Sequence, residues 1–216
     1  MLILNILSNP WLAIGFFIGI ILALTFHEYA HALAAVKAGD LTPKLAGRLT
    51  LNPLAHFDPL GTIFLLLAGF GWGKPVPINP FNLPNPQRSQ ALISLAGPLA
   101  NIILAFIFAI PLRLNQFHLW PGGLLFQEML LVIQIIIEIN LLLAVFNLLP
   151  IPPLDGSKIL FAFVSQETQV AIEQIGPWIL LGLLFLAFAT PLNIFSTTIL
   201  PLVQYLNYLI TAFPFS

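Results

Sequence analysis

Two histidines and a glutamate stand together near residue 30: His27-Glu28-Tyr29-Ala30-His31 reads His-Glu-x-x-His. On a helix, positions i and i+4 lie about 40° apart and about 6 Å along the axis, so both imidazoles reach one metal ion. Glu28 lies beside them, placed to hold a water at the metal and take its proton. The chemistry implied is hydrolysis, because zinc brings the pKa of such a water to about 7. The chain has no cysteine, so a metal here must be held by His, Asp, Glu or water. So short a pattern also arises by chance, and its surroundings decide its meaning. Here they are a long apolar run, in which three ionisable groups are costly unless they share a partner. One metal ion explains all three.

A catalytic zinc usually has three protein ligands and an open position. Asp155 is the leading candidate for the third. It follows Pro150, Pro152 and Pro153 and precedes Gly156. Those prolines cannot continue a regular helix, and unwound backbone at membrane depth is tolerated where it lines a cavity. Gly156 permits a tight turn behind the carboxylate. The plainer reading is an exposed Asp-Gly turn after a helix. The presence of His27 and His31 tips the balance toward a ligand.

The elements that must position these groups are membrane spans. The chain is 59% hydrophobic and 7% charged, against roughly 25% charged in a soluble domain. It cannot cover a water-facing surface, so the fold class expected is an all-α polytopic membrane protein. A net charge of −1 gives no indication of a nucleic-acid partner. The first residues lack a basic stretch and a small-residue cleavage pattern, and read as mature sequence rather than a signal peptide. About five transmembrane helices are expected, over residues 10–38, 90–112, 124–149, 172–189 and 192–212, the last kinked or broken by Pro201. Residues 60–72 are too short to span and read as a re-entrant segment. Residues 73–87 form an extended Pro-rich loop, and residues 157–169 read as interfacial. Lys37, Lys44, Arg48, Lys74, Arg88 and Lys158 share one side if residues 60–72 do not cross, with Arg113 opposite. The positive-inside rule makes that side cytoplasmic and puts the active site toward it. The localisation expected is integral and multi-pass, in a bacterial cytoplasmic membrane.

Taken jointly, His-Glu-x-x-His in one span and Asn147-x-x-Pro150-x-x-x-Leu154-Asp155-Gly156 in a later one resemble the site-2 protease family of intramembrane zinc metalloproteases. Residues Ala96-Gly97-Pro98-Leu99-Ala100-Asn101 are similar to that family's Gly-Pro-x-x-Asn helix. The stretches 51–61 and 72–80 resemble its short prokaryotic branch without PDZ or CBS domains. The resemblance runs from about Phe26 to Lys158. It implies one Zn²⁺ per chain held by His27, His31 and Asp155, Glu28 as catalytic base, and Asn147 holding the substrate backbone or polarising the scissile carbonyl. It implies a transmembrane protein substrate cut within or beside the bilayer. The organisation expected is a single membrane-embedded protease domain over residues 1–216, its catalytic core at about 10–160 and extra C-terminal helices at about 170–213.

Three other polar residues stand out. His56, with Asn52 and Asp58 in a Pro-bounded loop, reads as part of a local turn or as a gate, or as a neighbour of the metal site rather than a ligand. Asn101 reads as a hydrogen-bonding residue between helices, with Gly97 allowing close approach. Glu138, mid-span with Gln134 and Asn140, is either functional or a neutral, bonded group. The rival function is a non-catalytic zinc-binding membrane protein or a transporter. A transporter should show paired repeats or a row of acidic residues, and a dead relative should lack Glu28.

Overall fold

The computed structural model describes residues 9–68, 70–115, 122–189 and 195–212. The reading of the first residues as mature sequence lies outside that range for positions 1–8, as does the start of the expected span 192–212. Among the described residues the chain is helical, with one isolated β-bridge and no strand. The helices are α1 (Pro10–Lys37), α2 (Thr42–Leu45), α3 (Pro59–Ala68), α4 (Pro86–Asn115), α5 (Leu124–Asn147), α6 (Asp155–Phe161), α7 (Gln166–Ala189) and α8 (Leu200–Thr211). Four of them, α1, α4, α5 and α7, are long and apolar enough to cross a membrane. The fifth expected span is a π-helical stretch, Phe195–Ile199, running into α8, with Pro201 in the first turn of α8.

Helix α1 is built to be long and to stop sharply. The Asn9 carboxamide accepts from the N–H of Trp11 at 2.9 Å, and Pro10 occupies the first turn, where its missing N–H costs nothing. At the other end Gly39 (φ 109°) turns the chain, and the Asp40 N–H reaches back to Ala35 O at 3.0 Å. Between these stops runs a stripe of buried residues four apart: Gly15, Gly19, Ala23, His27, His31 and Ala35. Residues spaced by four advance about 40° round the helix at each step, so the stripe changes partner along its length. At its beginning, a Cβ on Gly19 would lie 3.4 Å from the Ile136 Cα of α5. From Ala23 on, the stripe faces α4, which hydrogen-bonds Ala23 O, His27 and His31. Helices α1, α4 and α5 thus pack all against all. Small residues let the backbones close up where lipid offers no hydrophobic drive.

Residues 60–72 do not cross. Helix α3 covers only the first part of the run, and the chain then doubles back. Phe57 pairs with Gly73 in the isolated antiparallel bridge, and a Cβ on Gly61 would lie 3.0 Å from the Trp72 side chain. A segment whose two ends touch returns to the side it left.

The polar stretches are tied down by single side chains. Asp40, fully buried, accepts from Thr42 N, Thr42 Oγ1, Asn79 N and Asn82 Nδ2. Burial opposes its charge, but these hydrogen bonds outweigh it and hold the carboxyl at about 2. The extended loop is thereby fastened to the end of α1. It contains one short 3₁₀ turn, Pro80–Asn82, that the proline-rich composition does not reveal. At the far end of α4, the Arg113 guanidinium donates to Ile210 O and to Leu209 O at the end of α8. In contrast, α7 stands apart, touching the rest mainly where Gly176 meets Pro152. The expected interfacial segment 157–169 resolves into α6, a short link and the start of α7, which begins before residue 172 with Gln166, Glu167, Thr168 and Gln169.

Candidate metal centre

His27, His31 and Asp155 converge. The two Nε2 atoms are 3.0 Å apart, and each lies 3.1 Å from the same carboxylate oxygen, Asp155 Oδ2. All three residues are buried. The far side of each ring shows which atoms carry protons. His31 Nδ1 is 2.7 Å from Ile93 O, an acceptor only, so it donates. His27 Nδ1 is 2.7 Å from Asn101 Oδ1. The orientation of that carboxamide is set elsewhere, because Asn101 Nδ2 donates to Ala23 O and to Asn140 Oδ1, and Asn140 Nδ2 donates to Ile136 O. His27 Nδ1 therefore also donates. A neutral imidazole with its proton on Nδ1 presents a bare lone pair at Nε2. Two lone pairs and a carboxylate oxygen thus face one another in a buried space, an arrangement that repels itself unless a cation lies between them. Three atoms at these separations frame a point about 2 Å from each, the length of a Zn–N or Zn–O bond. The donor set of two imidazoles and one carboxylate is one that zinc takes, so these residues fit the metal.

The backbone explains the convergence. Gly97 of α4 lies beneath both rings, where a Cβ would come within 2.6 Å of His31 Cε1 and 2.7 Å of His27 Cε1. Pro98 next to it has no N–H to give Ser94 O, and one residue earlier Ile93 O takes the His31 proton. Asp155 is the first residue of α6, and Ser157 closes that turn onto Leu154 O. Gly156 lets α6 press on the end of α5, since a Cβ there would lie 2.5 Å from the Leu148 carbonyl carbon.

Glu28 stands beside this triangle and is not part of it. Its carboxylate lies 3.8 Å from the guanidinium of Arg48, which is 4% exposed and also donates to Lys74 O. Sequence reasoning used Arg48 only to orient the chain. The available signal was Gly47, the left-handed turn (φ 70°) that sends Arg48 inward.

Other expected residues are placed differently. Asn147, at the last turn of α5, donates its amide to Leu143 O of its own helix at 3.0 Å. His56 is fully buried but outside the converging set; its Nε2 donates to Thr50 O at 2.8 Å. Burial, with the nearby Arg48 charge, pushes its pKa below the ordinary value. Its loop partners Asn52 and Asp58 cap Leu54 N and Gly61 N. Glu138 accepts from Gln134, which also donates to Asn207 of α8.

The profile of Peptidase family M50 matches residues 15–189. The chain belongs to peptidase family M50. Among M50 relatives, "Putative zinc metalloprotease YwhC" of Bacillus subtilis is 41% identical over 177 residues, covering 82% of this chain and 80% of its own. "Putative zinc metalloprotease Rip2" of Mycobacterium tuberculosis is 33% identical, covering 81% of this chain and 67% of its own. "Zinc metalloprotease MJ0392" of Methanocaldococcus jannaschii is 25% identical over 76% of this chain and 38% of its own. No solved structure matches this chain. M50 is the site-2 protease family, so the resemblance read from the motifs holds. This M50 chain is an integral membrane zinc metalloprotease, and the non-catalytic alternative gives way. Zinc is the metal that fits the triangle.

Proposed function

We propose that this chain hydrolyses peptide bonds of transmembrane protein substrates, with His27, His31 and Asp155 holding one zinc ion and Glu28 as base. The observation that carries the reading is the triangle of buried acceptor atoms, which only a cation reconciles. Bound zinc supplies a Lewis acid that activates water and polarises a carbonyl. Asn101 holds His27, and Ile93 O holds His31, so the ligands need not reorganise. Glu28 takes a proton from the attacking water and passes it to the leaving amine as the C–N bond breaks. The extended segment from Gly73 to Asn79 offers backbone to an unwound substrate by strand addition. Asn147 joins only by turning away from Leu143 O.

The experiment is metal analysis of the purified chain. About one zinc per chain is expected, since three ligands and an open position make one site. His31→Ala and Asp155→Ala together remove two ligands and should empty it. Zinc retained undiminished in that double variant would sink the assignment.

We read residues 1–216 as one protease domain, with its core at 10–160 and the helices over 170–213 as an addition. We place it in a bacterial cytoplasmic membrane with the metal near the cytoplasmic face, on the side of Lys37, Lys44, Arg48, Lys74, Arg88 and Lys158. The chain lacks cysteine, so single cysteines can be placed at position 44, within 74–88, and at position 116, which lies outside the described residues. An impermeant thiol reagent outside intact cells should label only position 116. Labelling within 74–88 from outside would break this topology, and with it the shared zinc site.

A further inference from the structure

Arg48 is a charged side chain beside Glu28 to which this mechanism gives no task. Gly47 turns the chain, and the Arg48 N–H anchors on Pro43 O at 2.8 Å. Its Nη2 donates to Lys74 O while lying 3.8 Å from Glu28 Oε2, too far for a hydrogen bond. Lys74 gives its own N–H to His56 O at 2.8 Å. The peptide units flanking Lys74 are therefore gripped by Arg48 on one side and His56 on the other. Two further nitrogens of the guanidinium, Nε and Nη1, are buried with no partner. Leaving buried donors of a charged group unpaired is costly. A fold that does so beside its catalytic carboxylate holds them ready for an acceptor that arrives with the substrate.

The chemistry limits which acceptor that is. When water adds to a peptide carbonyl, negative charge develops on the carbonyl oxygen, and donors already aimed at that position stabilise it. A guanidinium N–H, a donor that always carries charge, suits an oxygen that gains charge. The other candidate donor, the Asn147 amide, is committed to Leu143 O. Lys74 also belongs to the extended segment on which the substrate is proposed to lie, so Arg48 is registered on the same backbone as the substrate.

We propose that Arg48 binds the carbonyl oxygen of the scissile peptide bond through Nη1–H, while Nη2 keeps the guanidinium fixed on Lys74 O. This rests on the zinc-protease reading given above. Arg48 is then a residue that touches the reacting group, and the base, the carbonyl donor and the substrate segment form one connected unit.

The test uses the full chain in detergent micelles and a short phosphinic peptide of leucine and alanine, whose tetrahedral phosphorus carries two oxygens in place of the scissile amide. Binding is compared with that of acetohydroxamate, a small zinc chelator, and zinc content is measured throughout. Arg48→Gln should weaken the phosphinic peptide roughly 100-fold, the scale for losing donors to a developing oxyanion. Zinc content and acetohydroxamate affinity should stay unchanged. If Arg48→Gln fails to fold, Arg48→Lys carries the test: it keeps the charge but not the planar head that Lys74 O fixes, and should weaken the peptide about 10-fold. Unchanged phosphinic affinity in the variants overturns the proposal. So does parallel loss of zinc and of both ligands, which marks a structural role only. A zinc-loaded wild type that binds the phosphinic peptide no better than Arg48→Gln overturns it too. A wild type that takes up no zinc overturns the underlying reading instead, and the two failures are thus distinct.

Discussion

Protein carrying Glu28→Gln should keep about one zinc per chain, the single site that three ligands make, and lose turnover by roughly 10³-fold or more, the upper range for a general base. The two readouts separate because Glu28 stands beside the ligand triangle and not in it. Gln has the size of Glu and still fits next to Arg48, so packing should hold. What it cannot do is accept a proton from water and return it to the leaving amine. Turnover at the wild-type rate would move the base role to another residue, with Glu138 first in line. Loss of zinc would show that Glu28 is a ligand.

The second large effect should come from a single methyl group. Gly97→Ala should fold and insert as the wild type does, since Ala suits a helix better than Gly. Its Cβ, however, would lie 2.6 Å from His31 Cε1 and 2.7 Å from His27 Cε1. Real carbon atoms do not approach so closely, so both rings must shift, and Asn101 and Ile93 O hold them from behind. We expect zinc affinity to fall about 100-fold, the upper end for disturbing the groups that orient metal ligands, with activity falling alongside. Titration with a competing chelator measures the first, and near-wild-type helicity shows that the fold survives. Zinc affinity equal to the wild type would mean that α4 can back away from α1.

The sequence makes some of this site legible and hides the rest for physical reasons. His27 and His31 can be paired by arithmetic because helix geometry is local. Asp155 can be proposed because three prolines and a glycine mark an unwound stretch, although only the fold brings it across to α1. The re-entrant course of residues 60–72 follows from length alone. Hydropathy misses the true starts of α4 and α7, because Gln87, Arg88, Glu167 and Gln169 are helical yet face water beyond the apolar run. The fifth span is not one regular helix, since a π-helical stretch precedes Pro201. Gly97 reads as a helix-packing residue; that it makes room for imidazoles depends on a helix some 70 positions away in the chain, as His31 to Ile93 O shows with its separation of 62. The roles of Arg48 and Asn140 depend equally on contacts between elements, and no local pattern records them.

The Asn140–Asn101–His27 chain also bears on the order in which the protein is made. Synthesis runs from the N-terminus, so α1 enters the bilayer with Thr25, His27, Glu28 and His31 before its partners exist. A charged residue at mid-helix costs about 2.5–3.5 kcal/mol on insertion scales, and the leucines, isoleucines and phenylalanines of α1 must carry that load alone at first. Asn101 arrives only with the second long helix. Its carboxamide, already turned by Ala23 O, gains its second acceptor when Asn140 arrives with the third. Before Asn101 arrives nothing fixes which nitrogen of His27 carries the proton, and even with Asn140 in place Asp155 is still unmade. A half-synthesised chain therefore cannot capture the metal well, and the newborn enzyme stays silent in the membrane until its helices have assembled.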